Sequence, residues 1–289
     1  MTQKMKQVAL RDGALLPKLG QGTWLSGENP DHEAAEIAAF RRGVELGMTL
    51  IDTAEGYGFG LAEKFIKKAI DGLDRSNLFI ISKVEPPNAH RGDIVQHCQQ
   101  SLDNMGLDYL DMYLLHWYDP SIVPTAEAVE GLEELVAMGK IRRWGVSNFD
   151  LEGLEELWSI PGGSNCMLNQ IQYNIGARGI EYDVLPWMKE HGVGMMAYAP
   201  MGHGGETRKR MMDSEVLHRV AERHGLTMMQ FMLAFTLQRD DVIAIPRHEL
   251  PEHAEWNFGT QFVTFTQEDW DDINSVFPAP TCHTPLSII

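Results

Sequence analysis

The sequence predicts an α/β fold, a (β/α)8 TIM barrel with an N-terminal β-hairpin and an extra helix between strands seven and eight. Three observations point there. Short apolar runs alternate with helix-spaced segments from residue 19 onward. Those runs are apolar without a break, as in parallel strands covered on both faces. The length of 289 residues suits one such barrel, about 250 residues with short extensions, so residues 1–289 read as a single domain. An open doubly wound sheet is the alternative. It would carry a GxGxxG turn, and neither Gly20-Gln21-Gly22 nor Gly202-His203-Gly204-Gly205 completes that spacing.

The elements follow in order. A hairpin is expected to turn at Asp12-Gly13. Strands are expected at 19–23, 49–52, 78–83, 109–116, 143–147, 167–173, 194–198 and 242–246. Between them the spacing turns helical. Asp31 is the expected N-cap of a helix that places Ile37, Phe40 and Val44 on one face and stops at Gly47. Ile94, Cys98, Leu102 and Met105 form a second such face, and Val129, Leu132 and Val136 a third. The long interval after strand seven holds helical patterns at 214–224 and 227–237. Met211-Met212 and Met228-Met229 read as core filler, Asp269-Trp270-Asp271-Asp272 as a solvated helix start, and 278–289 as an extended arm.

Composition narrows the function. With 41 acidic against 24 basic residues the formal charge is −17, which repels nucleic acid and anionic membranes. Cys98, Cys166 and Cys282 form neither a disulfide framework nor a metal-binding spacing, so a reducing cytoplasm is expected and no metal. The opening Met-Thr-Gln-Lys-Met-Lys lacks the apolar stretch of a signal peptide, and no run approaches a membrane span. His32, His97, His191, His218 and His224 fall on helices or their ends and read as surface residues. No protein partner is signalled, and a monomer is expected.

Chemistry gathers where strands give way to loops. Thr49-Leu50-Ile51 leads to Asp52, the run 78–82 to Lys83, and the run 110–115 to His116, in successive units of about thirty residues. Neighbouring parallel strands lie about 4.8 Å apart, so the three side chains share one rim, and Tyr57 can fold back from its loop to join them. An ammonium beside a phenol is expected to lower the phenol's pKa, with a carboxylate holding the ammonium in place. A histidine opposite would orient a substrate oxygen. Singly, each residue has an ordinary structural reading, as helix cap, loop charge, packing aromatic or buried histidine. Their shared position favours chemistry.

These segments resemble the aldo-keto reductase superfamily, most closely its bacterial reductases of small aldehydes such as methylglyoxal. The resemblance rests on Leu-Gly-Gln-Gly-Thr-Trp at 19–24, Ile-Asp-Thr-Ala-Glu-Gly-Tyr-Gly at 51–58, Ile-Ser-Lys at 81–83, Leu-Leu-His-Trp at 114–117, Gly-Val-Ser-Asn-Phe at 145–149, Asn-Gln at 169–170 and Ala-Tyr-Ala-Pro at 197–200. It implies a catalytic tetrad of Asp52, Tyr57, Lys83 and His116, and reduction of an aldehyde or ketone with NADP(H) preferred and NAD(H) also accepted. It further implies that Ser147, Asn148 and Gln170 bind the nicotinamide carboxamide and Tyr198 stacks on its ring. Gly22, Thr23 and Asp52 would lie beside the cofactor, and the turn from Pro200 and Met201 to Gly205 against the pyrophosphate. The family's usual Ile-Pro-Lys-Ser and following Arg are replaced by Ile245-Pro246-Arg247-His248 and His253, with Asn257 kept. Arg247, aided by His248 and His253 when protonated and opposed by Glu249, is expected to read the 2′-phosphate by a smaller, more pH-sensitive margin. Trp24, Tyr57, His116 and Trp117 would wall the substrate pocket. Two other functions share the residues: a cofactor-holding redox sensor with little turnover, and a Schiff-base lyase using Lys83.

Overall fold

In the computed structural model, which describes residues 4–288, eight parallel strands carry the fold. They are β3 (Gln21–Gly22), β4 (Leu50–Asp52), β5 (Phe79–Val84), β6 (Met112–Leu115), β7 (Trp144–Ser147), β8 (Leu168–Gln172), β9 (Gly194–Tyr198) and β10 (Val242–Ala244). Each pairs with its neighbour in chain order. The ring closes between its ends: Gly20 N–H donates to Ala244 O (2.8 Å) and Ala244 N–H to Lys18 O (3.0 Å). Closure leaves the eight-stranded sheet without a free edge.

The strands differ from expectation mainly at their ends. Leu19 and Leu110 make isolated parallel bridges, to Ala244 and Ile141, rather than extending β3 and β6. Strand tilt lets the ladder hydrogen bonds end before the apolar runs do.

Alternation across each strand builds two cores. Leu50, Ile81, Leu114, Leu168, Met196 and Ile243 point into the barrel and pack together. The floor is closed by Val8, Leu10 and Leu16, carried by the hairpin β1 (Gln7–Ala9) and β2 (Leu15–Pro17). This hairpin turns at Gly13 as expected, with φ +87°. The opposite faces, with Ile51, Ile80, Tyr113, Val146 and Ile171, pack on the outer helices.

Those helices begin with α1 (Glu33–Glu45), α2 (Leu61–Ala69), α3 (Arg91–Met105), α4 (Thr125–Ala137), α5 (Leu151–Ser159) and α6 (Val184–Glu190). Ile94, Cys98, Leu102 and Met105 are all buried, as their spacing predicts. Asp31 is not the cap of α1. Asn29 accepts from the Asp31 N–H in a local turn, and His32 takes the cap position without a side-chain bond. The helix does end at Gly47, whose φ is +96°.

Between β9 and β10 lie three helices: α7 (Gly205–Met212), α8 (Glu215–Arg223) and α9 (Met228–Thr236). The latter two match the predicted patterns and are capped by Ser214 and Thr227. The first matches no predicted pattern, because its polar sequence has no apolar face beyond Met211. α10 (Pro251–Thr260) and α11 (Gln267–Val276) complete the chain.

Asp269 corrects the reading of a solvated start to α11. It is 1% exposed, reciprocally caps Thr266, and pairs with Arg223 and His224 at 2.8 Å each. The other helical histidines divide: His32 and His218 are exposed, whereas His97 and His191 are half-buried, with His191 stacked on Trp187 at 3.8 Å. Cys98 and Cys166 are buried and Cys282 is exposed. Residue 289 of the expected arm, like residues 1–3, lies outside the described residues. Among the described residues no helix is long and apolar enough to cross a membrane.

Candidate active site

Two residues beyond five of these six inward apolar positions, the same parity places a polar side chain at the top of the barrel: Asp52 after Leu50, Lys83 after Ile81, His116 after Leu114, Gln170 after Leu168 and Tyr198 after Met196. Tyr57 arrives differently. A single turn spans Tyr57–Gly60, with Gly58 and Phe59 both left-handed, and swings the chain from β4 into α2. The turn brings the phenol back over the barrel mouth.

The Lys83 ammonium is fully buried. It donates to Asp52 Oδ2 (2.8 Å), Thr53 O (2.8 Å) and Tyr57 Oη (3.2 Å). The other Asp52 oxygen accepts from Gln170 Nε2 at 2.7 Å. Burial alone would drive Lys83 toward the neutral amine, but Asp52 and Tyr57 reverse this and raise its pKa above the usual lysine value. An amine held protonated is no nucleophile, which removes the observation a Schiff-base lyase would need.

Tyr57 departs from expectation. Burial raises its pKa above that of a free phenol, and Asp52 adds to the rise, outweighing the opposing pull of Lys83. The ammonium therefore moderates a shift that burial dominates. Tyr57 stays protonated through neutral pH, and because its oxygen accepts from Lys83 its own hydrogen is free for the cavity.

His116 faces Tyr57 with ring centroids 5.8 Å apart and stacks on Trp117 at 5.7 Å. Its Nδ1 lies 2.6 Å from Glu85 Oε1. Sequence reasoning missed Glu85. The available signal was an acidic residue two positions past Lys83 at the same strand end.

These groups open into a cavity of about 470 Å³. Its wall includes Trp24, Trp117, Tyr57 and His116, together with Ser147, Asn148, Gln170 and Tyr198. Gly22, Asp52, Pro200, Met201 and Arg247 also line it, as does Arg208, a second missed residue. Three non-glycine residues here hold positive φ, Leu25 (+68°), Asn148 (+58°) and Ala199 (+45°), a strain that concentrates at working sites. Asn148 is fixed from both sides: Tyr198 Oη donates to its Oδ1 (2.8 Å) and its Nδ2 donates to His116 O (3.3 Å). At Gly22 a Cβ would stand 2.8 Å from Ile245 O, so only glycine lets these strands approach.

Other expected cofactor residues lie off the cavity wall. Thr23 turns inward, its hydroxyl donating to Asp52 O at 2.9 Å. His248 Nε2 meets Gln21 Oε1 at 2.8 Å, and burial, with His253 and Arg247 nearby, pushes its pKa down to about 4. It is neutral near pH 7, contrary to its expected part as a protonated phosphate ligand. His253 packs on Trp256 at 5.1 Å, and Asn257 is buried on α10. Arg247 reaches the cavity but is engaged by Glu36 (2.6 Å) and Glu249 (2.8 Å).

A cavity lined by aromatic rings, amide groups and two guanidinium groups suits a dinucleotide, which pairs a flat carboxamide ring with phosphates. The sequence profile of the aldo/keto reductase family matches residues 18–277. Methylglyoxal reductase YeaE of Escherichia coli (strain K12) is 40% identical over 289 residues, spanning 100% of both chains. Glyoxal reductase of Bacillus subtilis (strain 168) is 32% identical over 280 residues, 93% of this chain and 92% of that protein. Among solved structures, an aldo-keto reductase from Klebsiella pneumoniae in complex with NADPH is similar with a TM-score of 0.94 at 38% identity, covering 99% of this chain and 100% of that one.

Proposed function

Because this chain belongs to the aldo/keto reductase family, we propose that it reduces small aldehydes and ketones, methylglyoxal among them, to alcohols with NADPH as reductant. The observation that carries the reading is the buried relay from Asp52 through Lys83 to Tyr57 Oη, ending beside His116 at an open cavity.

In this reading the substrate's carbonyl oxygen rests between Tyr57 and His116. Bound NADPH supplies the hydride for the carbonyl carbon. As negative charge grows on the oxygen, Tyr57 gives up its proton and the Lys83 ammonium stabilises the phenolate left behind. Asp52 holds that ammonium in place, and Gln170 holds Asp52. Ser147, Asn148 and Gln170 serve the carboxamide, Tyr198 the nicotinamide face, and Arg208 the pyrophosphate. Arg247 reads the 2′-phosphate in competition with Glu36 and Glu249, so NADPH is preferred over NADH by a modest margin. Trp24 and Trp117 give the pocket apolar walls fit for small aldehydes. The chain works as one domain in the reducing cytoplasm, where its buried thiols stay inert.

The test is absorbance at the reduced nicotinamide band with a panel of small aldehydes, in parallel with NADPH and NADH. Consumption of NADPH faster than NADH is expected. Tight NADPH binding without consumption for any aldehyde would replace the reductase with a cofactor-holding sensor.

A further inference from the structure

We propose that Glu85 is a positioning residue for carbonyl reduction, holding His116 with Nδ1 toward the carboxylate and Nε2 toward the cavity, so that donation from Nε2 requires uptake of a second ring proton. The inference rests on the reductase reading for its catalytic meaning, and on local geometry for its substance.

Glu85 Oε1 lies 2.6 Å from His116 Nδ1. Burial would raise the Glu85 pKa, but His116 and Lys83 hold it below the usual carboxylate value. An ionised carboxylate only accepts, so the hydrogen of this bond belongs to Nδ1. A neutral ring then presents a bare lone pair at Nε2, which repels a substrate oxygen. A doubly protonated ring presents a charged N–H, the stronger partner for an oxygen that gains negative charge. The same logic fixes histidine orientation in other acid–base sites.

The carboxylate is built into place. A Cβ on Gly56 would stand 2.6 Å from Glu85 Oε1, so the side chain lies in the space that glycine leaves. The Glu85 N–H donates to Glu55 Oε1 (2.8 Å), an oxygen that also accepts from Asn88 Nδ2 (2.8 Å), while Glu55 Oε2 meets His97 Nδ1 (2.7 Å). Of the charged and titratable groups around His116, Glu85 from the segment after β5 bonds the ring and Tyr57 from the turn after β4 faces it at 5.8 Å, with Lys83 of β5 and Asp52 of β4 linked behind Tyr57. From the β7 side it meets Asn148, which is neutral. Burial holds Tyr57 above the free phenol, so Tyr57 keeps its proton across the pH range tested.

The experiment compares wild type with Glu85→Ala, Glu85→Asp and Gly56→Ala, whose φ of −71° suits alanine while its methyl displaces the carboxylate. Two readouts are taken across pH 6 to 9: kcat/KM for methylglyoxal at saturating NADPH, and the ¹⁵N shifts of the His116 ring. In wild type the rate falls with rising pH and the neutral ring keeps its hydrogen on Nδ1. Glu85→Ala and Gly56→Ala lower kcat/KM about tenfold or more at pH 6, flatten the alkaline fall, leave NADPH affinity unchanged and move the neutral ring's hydrogen to Nε2. Glu85→Asp restores part of the rate and the wild-type slope. A rate deficit equal at every pH, or an unchanged ring tautomer in Glu85→Ala, would overturn the inference. The ring readout needs no turnover, so it decides the matter even if no aldehyde were reduced.

Discussion

Asp52 and Lys83 form an ion pair at 2.8 Å with side-chain exposures of 2% and 0%. Removing one partner strands the other charge without solvent, a cost of about 3–5 kcal/mol. Asp52→Ala is therefore expected to lower stability by that amount in denaturant melts, whereas substitution of an exposed ion-pair member such as Lys68 (2.7 Å to Glu33) changes it by under about 1 kcal/mol. Equal effects would contradict the burial assignment. At the cofactor end, Arg247→Ala is expected to weaken NADPH binding about 10–100-fold, the worth of one charged hydrogen bond, with NADH little affected; equal losses would show that Arg247 does not read the 2′-phosphate. The tetrad was legible in the sequence because all its strand members end apolar runs of one parity. Glu85 beside His116 and Glu36 on Arg247 were not, since contacts 31 and 211 residues apart depend on how loops fold over the rim. The Tyr57 pKa was misjudged for a related reason: a charge partner can be read from sequence, but the depth of burial opposing it cannot.

Among the elements, α8 is joined to α11 by Arg223, which pairs with Glu268 (3.3 Å), Asp269 (2.8 Å) and Asp272 (2.7 Å), and of these carboxylates only Asp269 is buried. Asp269 accepts from the Thr266 N–H (2.8 Å), from Arg223 (2.8 Å) and from His224 (2.8 Å). Burial would raise its pKa, yet these hydrogen bonds bring it down to about 2. A carboxylate whose folded pKa lies below its unfolded value of about 3.9 adds stability that is complete above that value and lost as pH falls toward 2. The shift corresponds to about 2 kcal/mol. Acid titration of stability should thus be steeper for wild type than for Asp269→Asn between about pH 4 and 2; superimposable curves would contradict the pairing. The sequence shows why this was hidden. An Asp-Trp-Asp-Asp run reads as solvated unless Arg223 and His224, more than forty residues earlier, are known to arrive from α8. The helices α8 and α9 were legible because apolar spacing is local, and α7 was missed because it has no apolar periodicity.

At the scale of the whole molecule, the alternation of strand and helix was enough to fix a closed ring of eight parallel strands, because short βα units with doubly covered strands have few ways to bury their apolar runs. Exact strand ends were less legible, since tilt and closure decide where pairing stops. The barrel's use is to bring inward positions from separate strands to one height, so that Asp52, Lys83, His116, Gln170 and Tyr198 meet although the chain spreads them widely. Closure also keeps water from the relay beneath Tyr57. The most direct measurement is the rate of NADPH oxidation with methylglyoxal for wild type and Tyr57→Phe side by side. Wild type is expected to turn over, and Tyr57→Phe to lose about 10²–10⁴-fold in kcat while binding NADPH as tightly. Turnover retained in Tyr57→Phe would contradict the phenol as proton donor and with it the role of the buried relay.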